Sequence, residues 1–152
     1  MILGIRTSTK AVRFAILEQQ GSTISLINAN SENMLTFPAS YQKIEQKLNW
    51  LFNELERILR QHPDINKIVI KTNEYAPGRE QAKSREAAYY DSVILLIAER
   101  KQLPVSLKVY KSIGTKRAEV KNFSSTKVGS TSNHWDEPMA DAVAAAWTLC
   151  GE

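Results

Sequence analysis

Cysteine is nearly absent. Cys150 is the only one in 152 residues, so no internal disulfide can form, and a reducing, cytoplasmic setting is expected. Beside that lone thiol stand two histidines, His62 and His134, and a structural zinc site of the usual Cys/His composition is not expected. Long hydrophobic runs are missing too. The stretch AVAAAWTLC at 142–150 is nine residues long, against the roughly 20 that a membrane helix requires. The first segment has no basic stretch ahead of an apolar one and no small-residue cleavage site, so export is not expected. A phosphate-cradling loop is also lacking. SIGTKR at 112–117 has one glycine and does not end in Gly-Lys-Ser/Thr.

What is present fits a soluble globular chain. Hydrophobic residues make up 43% and charged residues 24%, enough apolar material for one proper core in one domain over 1–152. The net charge of +4 is modest but unevenly spread. Between 108 and 127 the chain carries Lys108, Lys111, Lys116, Arg117, Lys121 and Lys127 against Glu119 alone. From 128 to the end it carries Asp136, Glu137, Asp141 and Glu152 with no cation. The basic stretch reads either as a solvated helix face or as a surface that meets phosphates, and composition does not choose between them.

Periodicity orders the chain. Ile2–Ile5 and Val12–Leu17 read as strands, and TISLINA at 23–29 as a third. SENMLTFPAS at 31–40 reads as a connection, with a helix cap at Ser40. Apolar residues then recur every three or four positions from Ile44 to Leu59, which predicts an amphipathic helix. INKIVIK at 65–71 predicts a buried strand, 79–101 a second helix, and VSLKVY at 105–110 a fifth strand. KSIGTKRAEVKNF predicts a short basic helix entered through Gly114, and 124–134 a mobile Ser/Thr/Gly loop. The Ala-rich EPMADAVAAAWTLC closes the chain as a helix, with Pro138 in its first turn. Three strands joined by short turns predict antiparallel pairing. Two more strands, each reached across a helix, predict parallel pairing. The fold class is therefore α/β: a mixed five-stranded sheet covered by helices.

This order, and three segments of the chain, resemble the ribonuclease H-like fold in its RuvC-type Holliday junction resolvase form. ILGIRTSTKAVRFAIL resembles the family's first hairpin, whose first strand ends in Gly-Ile-Asp. Residues 65–120 resemble its long middle, and EPMADAVAAAW its final helix with an Asp-Ala pair. The resemblance implies carboxylates at the ends of strands one and four and on the last helix. Such acids hold two divalent metals that activate water and stabilise the leaving oxygen in phosphodiester cleavage. It also implies a homodimer, by analogy.

The pattern breaks at the acids. Arg6 stands where the resemblance expects the first Asp, and Lys71 where it expects a Glu, while Asp141 is kept. Two acid-to-base exchanges swing the site by about four charges, and unit charges ~4 Å apart interact by about 4 kcal/mol at an effective dielectric of 20. The expectation is that Arg6 and Lys71 pair with Asp141 and with Asp136 or Glu137, filling the place of the metals. No metal and no cofactor is then expected. The plain alternative has both cations at exposed strand ends, reaching into solvent.

Three functions follow. One is a catalytically silent RuvC-like domain that binds DNA, RNA or a protein partner, with Lys111, Lys116, Arg117 and Lys121 as the contact residues. A second is a working nuclease using Mg²⁺ or Mn²⁺ on a rearranged acid set, Glu74, Glu137 and Asp141, with Asp136 in reserve. The third is a small interaction protein with no nucleic-acid role. His134 and Trp135, beside Asp136, read as a catalytic relic and a stacking ring, or more simply as a surface histidine and a tryptophan tucked against the sheet. Of Tyr89 and Tyr90, adjacent on a helix, one is expected to be buried and one to be offered to a partner.

Overall fold

The computed structural model describes residues 1–75 and 82–151. A six-stranded sheet forms from β1 (Ile2–Thr7), β2 (Ala11–Gln20), β3 (Thr23–Leu26), β4 (Met34–Thr36), β5 (Lys67–Lys71) and β6 (Val105–Lys108). Its main path runs β3-β2-β1-β5-β6, and β4 pairs with β2. β1, β2 and β3 are antiparallel neighbours, and β1-β5-β6 are parallel. Helices α1 (Ile44–Gln61) and α2 (Ala82–Arg100) cover one face. The other face carries α3 (Tyr110–Ile113), a 3₁₀ turn at Arg117–Glu119, α4 (Val120–Lys127) and α5 (Glu137–Trp147).

Strand alternation sorts the two cores. Leu3, Ile5, Ile68 and Ile70 pack with Leu51, Leu55 and Ile97 of α1 and α2. Ile2 and Val69 pack with the alanines of α5 and with Tyr110. Gly4 lies on the α5 face, where a Cβ would come within 2.8 Å of Ala146 Cβ and would overlap the carbonyl oxygen of Ala142. Helix backbone thus rests directly on β1, which is why the last helix is built of alanine.

The structure refines several expectations. β4 lies inside the segment read as a connection. Between β3 and β4 the Asn28 side chain stands in for ladder bonds, accepting from the Ile16 amide at 2.8 Å and donating to Phe14 O at 3.0 Å. α1 starts at Ile44 rather than after Ser40, because 38–42 closes a turn in which the Tyr41 amide donates to Pro38 O. Gly114 ends a helix instead of opening one, with φ at 90° in the left-handed region that favours glycine. The expected loop at 124–134 is helical through Lys127, and Ser124 is buried with its hydroxyl donating to Ala140 O at 2.7 Å. The remainder is hydrogen-bonded to 29–33, with the Ser132 amide donating to Ala29 O. The expected start of the second helix, 79–81, lies outside the described residues.

Candidate functional site

β1 and β5 are aligned in parallel with Ile5 opposite Ile70, so the next residues along, Arg6 and Lys71, leave the sheet side by side. Both point to the α5 face, and neither reaches solvent: Arg6 is 6% exposed and Lys71 0%. Asp141, one turn into α5, is also fully buried. Arg6 Nε donates to Asp141 Oδ2 at 2.9 Å, and the Tyr110 hydroxyl donates to Oδ1 at 2.8 Å. Both carboxylate oxygens are therefore engaged. Arg6 Nη1 donates to Thr7 O at 3.3 Å and to the side chain of Asn73.

Lys71 finds a different acid from those the sequence suggested. Its ammonium pairs with Glu74 Oε2 at 2.7 Å, donates to Thr72 O at 2.8 Å, and lies 3.8 Å from the centroid of the Tyr110 ring. A ring face stabilises a desolvated cation, so the three contacts replace the water this ammonium lost. Burial nevertheless holds the Lys71 ammonium below its ordinary pKa, an effect opposed by Glu74 and Asp141 and reinforced by Arg6. Glu74 is pushed up by burial, but the bonds from Lys71 and the Tyr110 amide outweigh this and leave it below its usual value. Burial and the Asp141 charge raise the Tyr110 hydroxyl, keeping it a proton donor.

The other expected acids serve elsewhere. Asp136 caps α5, accepting from the Met139 amide at 2.9 Å, and pairs with Arg13 at 2.7 Å. Arg13 faces Arg6 across the β1-β2 ladder, so both guanidiniums serve the start of the same helix. Glu137 pairs with Arg117 at 3.2 Å. Lys111, Lys116, Arg117 and Lys121 are all exposed: Lys111 on α3, Lys116 just before the 3₁₀ turn, Arg117 on it and Lys121 on α4. His134 is exposed and lines a polar cleft of about 390 Å³ with Asn30–Met34 and Asn133. Trp135 is half-buried against the alanine core, Tyr90 is fully buried, and Tyr89 is 44% exposed.

No family model matches the sequence, and no curated protein matches it. Solved structures do match. Thermus thermophilus RuvC in complex with a Holliday junction substrate superposes with a TM-score of 0.75 at 12% identity, covering 97% of this chain and 90% of that one. A second T. thermophilus RuvC structure gives 0.70 at 14% identity, over 97% and 91% of the two chains. The yeast mitochondrial Holliday junction resolvase Ydc2 gives 0.62 at 17%, over 96% and 75%. The fold is RuvC-like.

In that RuvC-like frame the residues present do not fit a pair of divalent cations. Hard cations need several carboxylate oxygens free to coordinate. Here each of Asp141, Glu74 and Glu137 is taken by a cation of its own, and among the described residues no three His, Cys, Asp or Glu side chains converge. No helix among the described residues is long and apolar enough to cross a membrane.

Sequence reasoning missed Tyr110, Asn73 and Asp91. Tyr110 closes the fifth predicted strand, and the strand-end logic that singled out Arg6 and Lys71 would have marked it. Asp91 carried no such signal. It sits mid-helix in α2 and meets the site only because Thr7 turns to the opposite sheet face from Arg6 and donates to it at 2.6 Å.

Proposed function

We propose that this chain is a RuvC-like domain without nuclease activity that binds nucleic acid through the basic face formed by α3, the 3₁₀ turn and α4. The observation that carries the first part is the Arg6–Asp141 contact. A guanidinium occupies both the sequence position and the charge role that the resemblance gives to an acid and its metal, and Asp141 has no free oxygen. Cleavage through two metals needs a water activated beside the phosphorus and a stabilised leaving oxygen, and this cluster offers neither. The rearranged set of Glu74, Glu137 and Asp141 is disfavoured because its three members form separate ion pairs.

The second part rests on Lys111, Lys116 and Lys121, exposed on or after the helix that supplies Tyr110 and without ion pairs to described residues. Of the relatives in fold, T. thermophilus RuvC is seen with a Holliday junction substrate. A four-way DNA junction is therefore the first probe, with duplex DNA and RNA of equal length beside it. Incubation with Mg²⁺ or Mn²⁺ is expected to give no strand scission, and titration of either ion no saturable heat. Cutting that disappears in Asp141→Asn would overturn the reading.

A further inference from the structure

The polar cleft of about 390 Å³ lies where the loop before β4 meets the loop before α5. Three bonds join the two loops. The Ser132 amide donates to Ala29 O at 2.8 Å, Asn33 Nδ2 donates to Asn133 O at 3.2 Å, and the Ser132 hydroxyl donates to Asn30 Oδ1. The same bonds orient the amides that line the cleft. Asn30 accepts through its oxygen, so its Nδ2 keeps hydrogens to give. Asn33, 3% exposed, donates through Nδ2 and keeps its Oδ1 as an acceptor. The cleft thus holds a fixed donor and a fixed acceptor, with Asn133 beside them.

Two further residues add faces rather than polar atoms. Met34 is half-buried in the lining, and His134 brings an exposed ring. His134 holds a φ of 61°, in the left-handed region that a residue other than glycine adopts at a cost. The Asp136 amide closes that turn by donating to His134 O at 2.9 Å, which keeps the imidazole at the cleft. Charge is nearly absent. Glu32 is paired with Arg57 at 3.0 Å, and among the described residues no lysine or arginine lines the cleft, so nothing there grips a phosphate.

We infer that this cleft takes an unstacked nucleobase, held by its edge and its face as an uncharged heterocycle. A nucleobase edge sets a donor beside an acceptor, the complement of what Asn30 and Asn33 present, and asparagine reads adenine through such a pair. Imidazole and thioether give the base a flat and an apolar contact. The volume falls within the roughly 300–1,000 Å³ of small-molecule sites, and the polar lining excludes an apolar ligand. Two sources present this chemistry, a free nucleoside and an unpaired position in a strand. The inference rests neither on the silent nuclease nor on the basic face, since a nucleoside carries no phosphate.

Titration calorimetry of the full chain with adenosine, cytidine, guanosine and uridine tests it, with glucose as a polar ligand that lacks a flat face. At least one nucleoside is expected to bind saturably, and glucose is not. Asn30→Asp keeps the acceptor for the Ser132 hydroxyl but replaces the donor, and should weaken that nucleoside at least about tenfold. His134→Gly removes the ring and relieves the backbone, so affinity should fall at least about fivefold while the melting temperature holds or rises. A DNA hairpin with one unpaired base is then compared at high salt, where phosphate contacts are weak, with the same hairpin abasic at that position. A preference of about fivefold or more for the base, lost in His134→Gly, assigns the cleft to a strand. Equal hairpins with nucleoside binding intact assign it to a free nucleoside. Silence from all four nucleosides together with equal hairpins overturns the inference, as does competition by glucose or binding indifferent to both substitutions.

Discussion

Where β1 ends, two consecutive side chains leave on opposite faces of the sheet and each finds an acid. Arg6 meets Asp141 of α5, and Thr7 meets Asp91 of α2. Removing one member of a buried pair leaves an uncompensated charge, so Arg6→Met should destabilise the fold by about 3–5 kcal/mol. Converting Asp141 to Leu in the same chain should recover most of that loss, since an apolar pair of similar volume needs no solvation. Urea unfolding of the two single variants and the double variant measures the coupling. Smaller loss in Arg6→Met than in the double variant would mean that the ion pair does not hold this corner. Asp91 predicts a pH effect. Burial raises its carboxyl to about 6 from an ordinary 3.8, against the opposing influences of Thr7 and Arg6. Between those values the folded protein holds a proton that the unfolded chain has released, so stability falls as pH rises from about 4 to about 6 and is flat on either side, as far as this group is concerned. Each unit of separation is worth about 1.4 kcal/mol. Asp91→Asn keeps an acceptor for Thr7 but cannot titrate. Its unfolding free energy should fall less between pH 4 and pH 7 than that of the wild type.

Among the elements, α5 on β1 is the contact with the least tolerance. Gly4 admits no Cβ without displacing Ala146 and the carbonyl of Ala142, and this helix also delivers Asp141. Gly4→Ala should therefore cost about 1–3 kcal/mol or more through overpacking. It should also loosen the Arg6–Asp141 contact, seen as extra susceptibility to protease or faster amide exchange in α5. An unchanged melting temperature would show that the helix can shift freely. The same elements explain what was readable beforehand. β1, β2, β5 and α1 announce themselves by alternation or by spacings of three and four, because each buries a whole face. β4 is three residues long, and the Asn28 side chain takes the place of ladder bonds ahead of it, so it leaves no periodic trace. The Arg6–Asp141 pairing was legible because strand and helix order bring those positions together in this fold. The Lys71–Glu74 pairing was not, since it depends on how the chain turns after β5, and no pattern of residue types encodes that turn. Asp136 looked like a site acid and is a helix cap, a role its place just before Glu137-Pro138 equally signals.

At the scale of the molecule, the sheet separates a basic surface from the face covered by the two long helices. Lys111, Lys116 and Lys121 lie on the α3–α4 side, while Leu95, Leu96 and Glu99 lie on the α2 side. Binding driven by phosphates releases counterions, so the logarithm of the association constant should fall linearly with the logarithm of salt concentration. Each lysine that meets a duplex phosphate contributes about 0.9 to that slope. Replacing all three by alanine should flatten the slope in proportion to the phosphates left without a lysine. Fluorescence anisotropy on a labelled four-way junction across a salt series measures it. A slope unmoved by the triple substitution would reduce the basic segment to a solvated face.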